Sequence, residues 1–147
     1  MEEDMAENLS AFLRQNAIQV ANQKIVASKR FVDENGNPIA WEVRGITAKE
    51  DEALRNSCTM RKQVPGKKNL YQPETDINQY LRKLAVACTV YPDLNDATLQ
   101  DSYGVMGAEA LITQMLLPGE YAEYMRAIQG ICGFDEDMSE LVDEAKN

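Results

Sequence analysis

The sequence predicts an α+β fold, mainly α. A β-hairpin over about residues 25–46 should pack with a C-terminal bundle of about five helices. Two observations predict this. Asn35-Gly36, followed by Pro38 and the alternating Trp41-Glu42-Val43-Arg44, has the turn chemistry and period-2 pattern of a hairpin. Ile77, Tyr80, Leu81, Leu84, Ala85 and Cys88 then recur at helical spacing as one apolar stripe.

The elements follow in order. Residues 1–8 are acidic and are expected to fray. Leu9, Phe12 and Leu13 suggest a short amphipathic helix near 9–16. The hairpin arms run from Ile25 to Asp33 and from Ile39 to Ile46, around a two-residue turn at Asn35-Gly36, where Gly36 supplies φ > 0 at no steric cost. Trp41 is the natural anchor, with Phe31 beside it in the pattern. An isolated hairpin is marginal in water, so this one must pack on helices or on another chain. Thr47 and Glu50 form a capping box for a helix to about Thr59. Residues 61–73, centred on Pro65-Gly66, read as a loop and as a hinge between hairpin and helical parts. The stripe helix from Ile77 is ended by Pro92. Asn95 starts a short helix that Gly104 stops. Ala108 to Leu117 forms another. Pro118 suits the first turn of a helix that buries Tyr121, Tyr124, Met125 and Ile128 and is capped by Gly133. A last helix carries Met138, Leu141, Val142 and Ala145 on one face.

Composition narrows the function. The 147 residues fit a single domain, 1–147, able to bury a core without disulfide or metal. Three scattered cysteines and no histidine exclude His-dependent nucleophilic catalysis and every His-containing zinc site. No apolar run is long enough to span a bilayer, and the acidic start is unlike a signal peptide, so a cytoplasmic, membrane-free protein is expected. Residues 1–73 carry 10 acidic and 11 basic groups, whereas residues 74–147 carry 14 and 4. The acidic half would repel nucleic acid. Arg61, Lys62, Lys67 and Lys68 form a modest basic cluster, read first as a solvated loop and second as a dock for an acidic surface, another copy's C-terminal half included.

Motifs for chemistry are weak. Pro65-Gly66-Lys67-Lys68 lacks the spacing of a phosphate-binding loop, and Asp33 to Asn37 is too short for a calcium loop. Asp93, Asp96 and Asp101 read as caps and solvated faces. No cofactor and no enzyme is expected. The methionines offer a different chemistry, because Met adapts to apolar partner segments. Tyr103, Met106, Met115, Leu117, Tyr121 and Met125 are the candidate partner-binding residues; filling the core is the competing role.

Several longer strings carry a resemblance. Ser28-Lys29-Arg30-Phe31, Gly36-Asn37-Pro38 with Trp41-Glu42, Tyr91-Pro92-Asp93-Leu94-Asn95-Asp96, Leu99 to Glu109 and Met115-Leu116-Leu117-Pro118-Gly119-Glu120-Tyr121 resemble the XkdN-like phage tail assembly chaperones of phages and prophages of Gram-positive bacteria. The similarity runs from about Leu9 to Asn147. It implies a protein that binds the phage tape measure protein, keeps it soluble, helps recruit tail tube subunits, and is absent from the finished virion. It further implies a longer frameshifted form that engages the tail tube protein. A homo-oligomer is left open, through hairpin edges or the opposite charges of the two halves. The alternative is a structural tail or connector component retained in the particle.

Overall fold

The computed structural model describes residues 9–134. Residues 1–8 and the helix expected around Met138 to Ala145 lie outside that range. Among the described residues there are five α-helices and two small antiparallel sheets. The elements run β1 (Gln23–Ile25), β2 (Trp41–Val43), α1 (Ala48–Ser57), β3 (Thr59–Gln63), β4 (Tyr71–Thr75), α2 (Ile77–Cys88), β5 (Thr89–Tyr91), α3 (Ala97–Ser102), α4 (Ala108–Met115) and α5 (Pro118–Cys132). The fold is α+β and mainly helical, as the patterning predicts.

The N-terminal hairpin is present with changed detail. β1 pairs with β2 antiparallel, Gln23 opposite Val43 and Ile25 opposite Trp41. The tip is a three-residue loop rather than the expected two-residue turn. The Gly36 N–H donates to the Asp33 carbonyl (3.0 Å) and the Asp33 N–H donates to the Asn37 carbonyl (2.8 Å). Gly36 alone takes positive φ, +81°, as a type I turn closed by a glycine bulge requires. The Asp33 carboxylate selects this geometry by accepting from the Asn35 and Asn37 N–H groups at 2.8 and 2.9 Å. Between base and tip, residues 26–30 leave the ladder, because Ser28 and Arg30 turn away to bond α5; pairing resumes at Phe31, whose carbonyl accepts from the Ile39 N–H at 2.8 Å.

Three further corrections concern strands and the N-terminus. The stripe helix ends at Cys88, not at Pro92. Thr89, Val90 and Tyr91 become β5, which pairs with β2 to give the order β1-β2-β5. β-branched Thr89 and Val90 favour that extended state, and the Thr89 hydroxyl satisfies the Ala85 carbonyl at 2.7 Å as the helix stops. The segment read as a loop at 61–73 belongs to a second hairpin, β3–β4, in register from Thr59 opposite Thr75 to Gln63 opposite Tyr71. Its strands are polar and almost wholly exposed on both faces, so no alternation announced them. The helix expected at 9–16 is a single 3₁₀ turn, Leu9–Phe12, with its apolar side chains uncovered.

Local signals held elsewhere. Thr47 and Glu50 form the capping box of α1. Pro118 opens α5, and Gly133 at φ +79° closes it, with the Phe134 N–H donating to the Gln129 carbonyl at 3.0 Å. α1 buries none of its residues fully. It is tied to α2 through polar groups: the Tyr80 hydroxyl donates to Asp51, Asp51 pairs with Arg55 (2.9 Å), and the Arg55 guanidinium lies 4.5 Å over the Tyr80 ring. The three cysteines are free thiols, with the Cys88 and Cys132 sulfurs 3.7 Å apart.

The core joins β2 to the helices. Trp41 and Val43 point inward against Leu81, Leu84, Leu111, Ile112, Tyr124, Met125 and Ile128. Trp41 meets Tyr124 edge-on at 5.2 Å and Phe31 at 6.3 Å. The Tyr124 hydroxyl finds Thr89 Oγ1 at 2.7 Å, so its burial leaves no orphaned polar atom. Trp41 is 2% exposed. Trp41→Ala should therefore cost ~3–5 kcal/mol in chemical denaturation; a loss near zero would show that the sheet is not seated by this ring.

Candidate functional site

An open apolar groove lies over the β2–helix junction. Its volume is about 150 Å³, and it is lined by Phe31, Ile39, Trp41, Tyr91, Pro92, Leu99 and Met115. Four parts of the chain build it: the hairpin tip region, β2, the β5–α3 connection and the end of α4. Trp41 and Met115 form its buried floor, while Tyr91 at the wall is 54% exposed.

One edge is fixed by a charged cluster. Glu120 accepts hydrogen bonds from Arg30 Nη2 (2.8 Å), Ser28 Oγ (2.7 Å) and the Leu117 N–H (2.8 Å). Arg30 also donates to the Met115 carbonyl at 2.6 Å, and its guanidinium stands 5.2 Å from the Phe31 ring centre. These bonds lock the groove wall carrying Phe31 to the α4–α5 corner. Together, Arg30 first, then the Leu117 N–H and Ser28, hold the Glu120 carboxyl down at about 2 from its ordinary 4.5.

The candidate residues read from the sequence are distributed across this region. Met115 lines the groove, together with the anchors Trp41 and Phe31. Tyr103 is half-buried against the core. Met106 and Leu117 are exposed, at 93% and 56%. Met125 is fully buried in the core and presents nothing to a partner. Tyr121 is half-buried; its ring packs against the core, and its hydroxyl is enclosed without a hydrogen-bond partner. Burial pushes that phenol up to about 12. Sequence reasoning passed over Ile39, Tyr91, Pro92 and Leu99, and also the exposed apolar residues near the N-terminus: Leu9, Phe12, Leu13, Ile18 and Val20. Ile18 and Val20 stand either side of Gln19, a faint signal in a segment that forms no long strand.

The groove suits apolar side chains. Among the described residues, no group of three or more cysteines and carboxylates is placed to hold a metal ion. None of their helices is long and apolar enough to cross a membrane.

The family model for "Phage XkdN-like tail assembly chaperone protein, TAC" matches residues 9–146. The chain belongs to the XkdN-like tail assembly chaperone family. The phage-like element PBSX protein XkdN of Bacillus subtilis (strain 168) is 30% identical over 141 residues, covering 95% of this chain and 94% of that protein. YqbN of the same strain, an uncharacterized protein, is also 30% identical over 141 residues, covering 95% and 93%. The crystal structure of YqbN aligns with a TM-score of 0.74 at 27% identity, over 87% of this chain and 98% of that one. The fold is thus shared with YqbN over 87% of this chain.

Two predictions test the site's energetics. Glu120 has a folded-state pKa below its ordinary value, so its contribution to stability is complete above about pH 4.5 and is lost as pH falls towards about 2. Glu120→Gln should flatten the acid limb of the stability–pH curve across that window; an unchanged limb would show that the cluster is not formed. Tyr121→Phe removes an unsatisfied buried hydroxyl and should leave stability unchanged or raise it by up to about 1 kcal/mol, read by thermal or urea unfolding. A clear loss would mean that the hydroxyl has a partner.

Proposed function

We propose that this chain is a non-enzymatic tail assembly chaperone that binds the phage tape measure protein in the bacterial cytoplasm and keeps it soluble. It helps to recruit tail tube subunits, through a longer frameshifted form that engages the tube protein, and it leaves before the virion is complete.

One observation carries this reading beyond family membership. Large apolar side chains stand uncovered along the first described stretch: Leu9 at 70%, Phe12 at 79%, Ile18 at 97% and Val20 at 72% exposure. Exposed apolar side chains of this size offer contact area to an apolar partner. The groove of Phe31, Tyr91 and Leu99 adds a second apolar surface. Tape measure proteins present long apolar helical faces before assembly, and such faces need an adaptable holder without a deep, committed pocket. The net charge of −9 keeps such a complex soluble.

Co-expression with the tape measure protein of the same phage tests the reading. A soluble complex that co-purifies supports it. A tape measure protein that stays insoluble, with the longer form also failing to rescue it, or a stoichiometric signal for this chain in purified virions, would replace it with a structural tail component. Phe12→Asp and Ile18→Asp touch exposed positions and should leave the fold intact. Each should weaken capture about tenfold, the equivalent of ~1.4 kcal/mol of lost apolar contact. Undiminished capture by both variants would remove this stretch from the interface.

A further inference from the structure

Two of the three thiols meet inside the fold although 44 positions separate them in the chain. Cys88 is the last residue of α2 and Cys132 the last of α5, so two helix ends deliver a sulfur to one point. Their Sγ atoms stand 3.7 Å apart, in contact but short of the ~2.05 Å of a bond. Neither side chain is fenced by a following helical turn. Extended Thr89 succeeds Cys88, and Gly133 at φ +79° succeeds Cys132. Cys58 is separate: it is buried at the end of α1, with Ser57 Oγ 3.7 Å from its sulfur.

The two members of the pair are unlike. Cys88 is fully enclosed at 0% exposure. Cys132 is half-buried, so a small solute reaches its sulfur first. The Cys88 thiol, donating to that sulfur, holds the Cys132 thiol down at about 6 from its ordinary 9 against the effect of burial; the Ile46 N–H and Arg44 assist, and Asp51 opposes. The same hydrogen bond and burial push Cys88 up, with Glu50 adding to the rise and Arg44 opposing it. A thiolate at the accessible position beside a protonated, enclosed thiol is the arrangement of an attacking sulfur with a resolving one.

We propose that Cys88 and Cys132 form a reversible dithiol–disulfide staple that takes small-molecule disulfides as its oxidant, with Cys132 as the attacking sulfur. The Cys132 thiolate attacks one sulfur of the small disulfide. That S–S bond breaks, a mixed disulfide forms on Cys132, and one small thiolate leaves. Cys88 passes its proton to that thiolate and attacks the Cys132 sulfur. The second small thiolate is expelled and takes up a proton from water, replacing the one that Cys132 released. Two electrons and two protons have then passed from the chain to the oxidant, which ends as two small thiols. The product ties the end of α2 to the end of α5, where the Arg44 N–H already meets the Cys88 carbonyl. The bond closes a long loop and so restricts the unfolded chain. A reducing compartment keeps the pair open and an oxidising one closes it.

The inference concerns the chain's own thiols and does not rest on the tape measure reading. Incubation of the reduced, folded chain with oxidised glutathione, followed by alkylation, intact mass, peptide mapping and thermal unfolding, tests it. The expected product has lost two hydrogen atoms, retains no glutathione, links Cys88 to Cys132 and leaves Cys58 free for alkylation. It should melt about 5 °C higher than the reduced chain and return to it with dithiothreitol. Cys58→Ala should close as the wild-type chain does. Cys88→Ala should stop at a glutathione adduct on Cys132, because the resolving thiol is gone. Cys132→Ser, at the half-buried position, should keep its circular dichroism and take up no glutathione. A wild-type chain that retains all three free thiols overturns the proposal. So does a link through Cys58, a wild-type adduct on Cys132 that never resolves, a link that forms only in denaturant, or a linked chain whose melting point is unchanged. Glutathione uptake at Cys88 in folded Cys132→Ser would likewise overturn it.

Discussion

The seating of β2 on the helices is the constraint on which the rest of the structure depends. The sheet β1-β2-β5 contains nine residues, too few to be stable in water by itself. It persists because its central strand sends Trp41 and Val43 into the core, where the Trp41 ring is closed by Phe31 on one side and Tyr124 on another. Once β2 is fixed, β5 must leave α2 at Cys88 to pair with it. The Thr89 side chain serves both ends of that change, through Ala85 and Tyr124. The Arg44 N–H, donating to the Cys88 carbonyl at 2.8 Å, joins the strand to the helix terminus at the same place.

Glu120 extends this constraint from packing to electrostatics. Residues 26–30 give up ladder bonds to reach it, and Ser28, Arg30 and the Leu117 N–H converge on its two oxygens. Arg30 remains half-exposed, so solvent screens the ion pair and its value lies chiefly in position. It sets Phe31 against Met115 and thereby shapes the groove. An apolar groove is thus held by polar bonds at its rim.

What was legible in the sequence was local. Thr47 with Glu50, the 77–88 stripe, Pro118 and Gly133 each satisfy a helix end or face from residues within one or two turns, so spacing reveals them. Trp41 could be read as an anchor because alternation placed it inward. The Ser28–Arg30–Glu120 cluster joins residues some ninety positions apart, and nothing local encodes that meeting. β5 was hidden by the strength of the helix before it. The β3–β4 arm was hidden because both its faces are wet, which removes the hydrophobic alternation that marks a strand. The methionines show the same limit within one residue type: Met106 is exposed, Met115 floors the groove and Met125 is sealed in the core. Their spacing cannot separate these fates, because α4 and α5 decide them by packing against β2.

The distribution of apolar and charged surface has its own logic. A chain that displays Phe12, Ile18 and Val20 to solvent risks associating through them indiscriminately. The acidic remainder of the chain opposes that, since like-charged bodies cannot pack closely enough to bury scattered apolar side chains. The same repulsion would oppose any ordered association, unless one element carried the opposite sign. The arm from Thr59 to Thr75 carries the opposite sign, +3 from Arg61, Lys62, Lys67 and Lys68 against Glu74, and it stands on a narrow base away from the apolar N-terminal stretch in the chain. The cationic arm and the exposed apolar N-terminal surface are thus separated along the chain. Charge contact is screened by salt and apolar contact is not, so the two kinds of surface respond to different conditions.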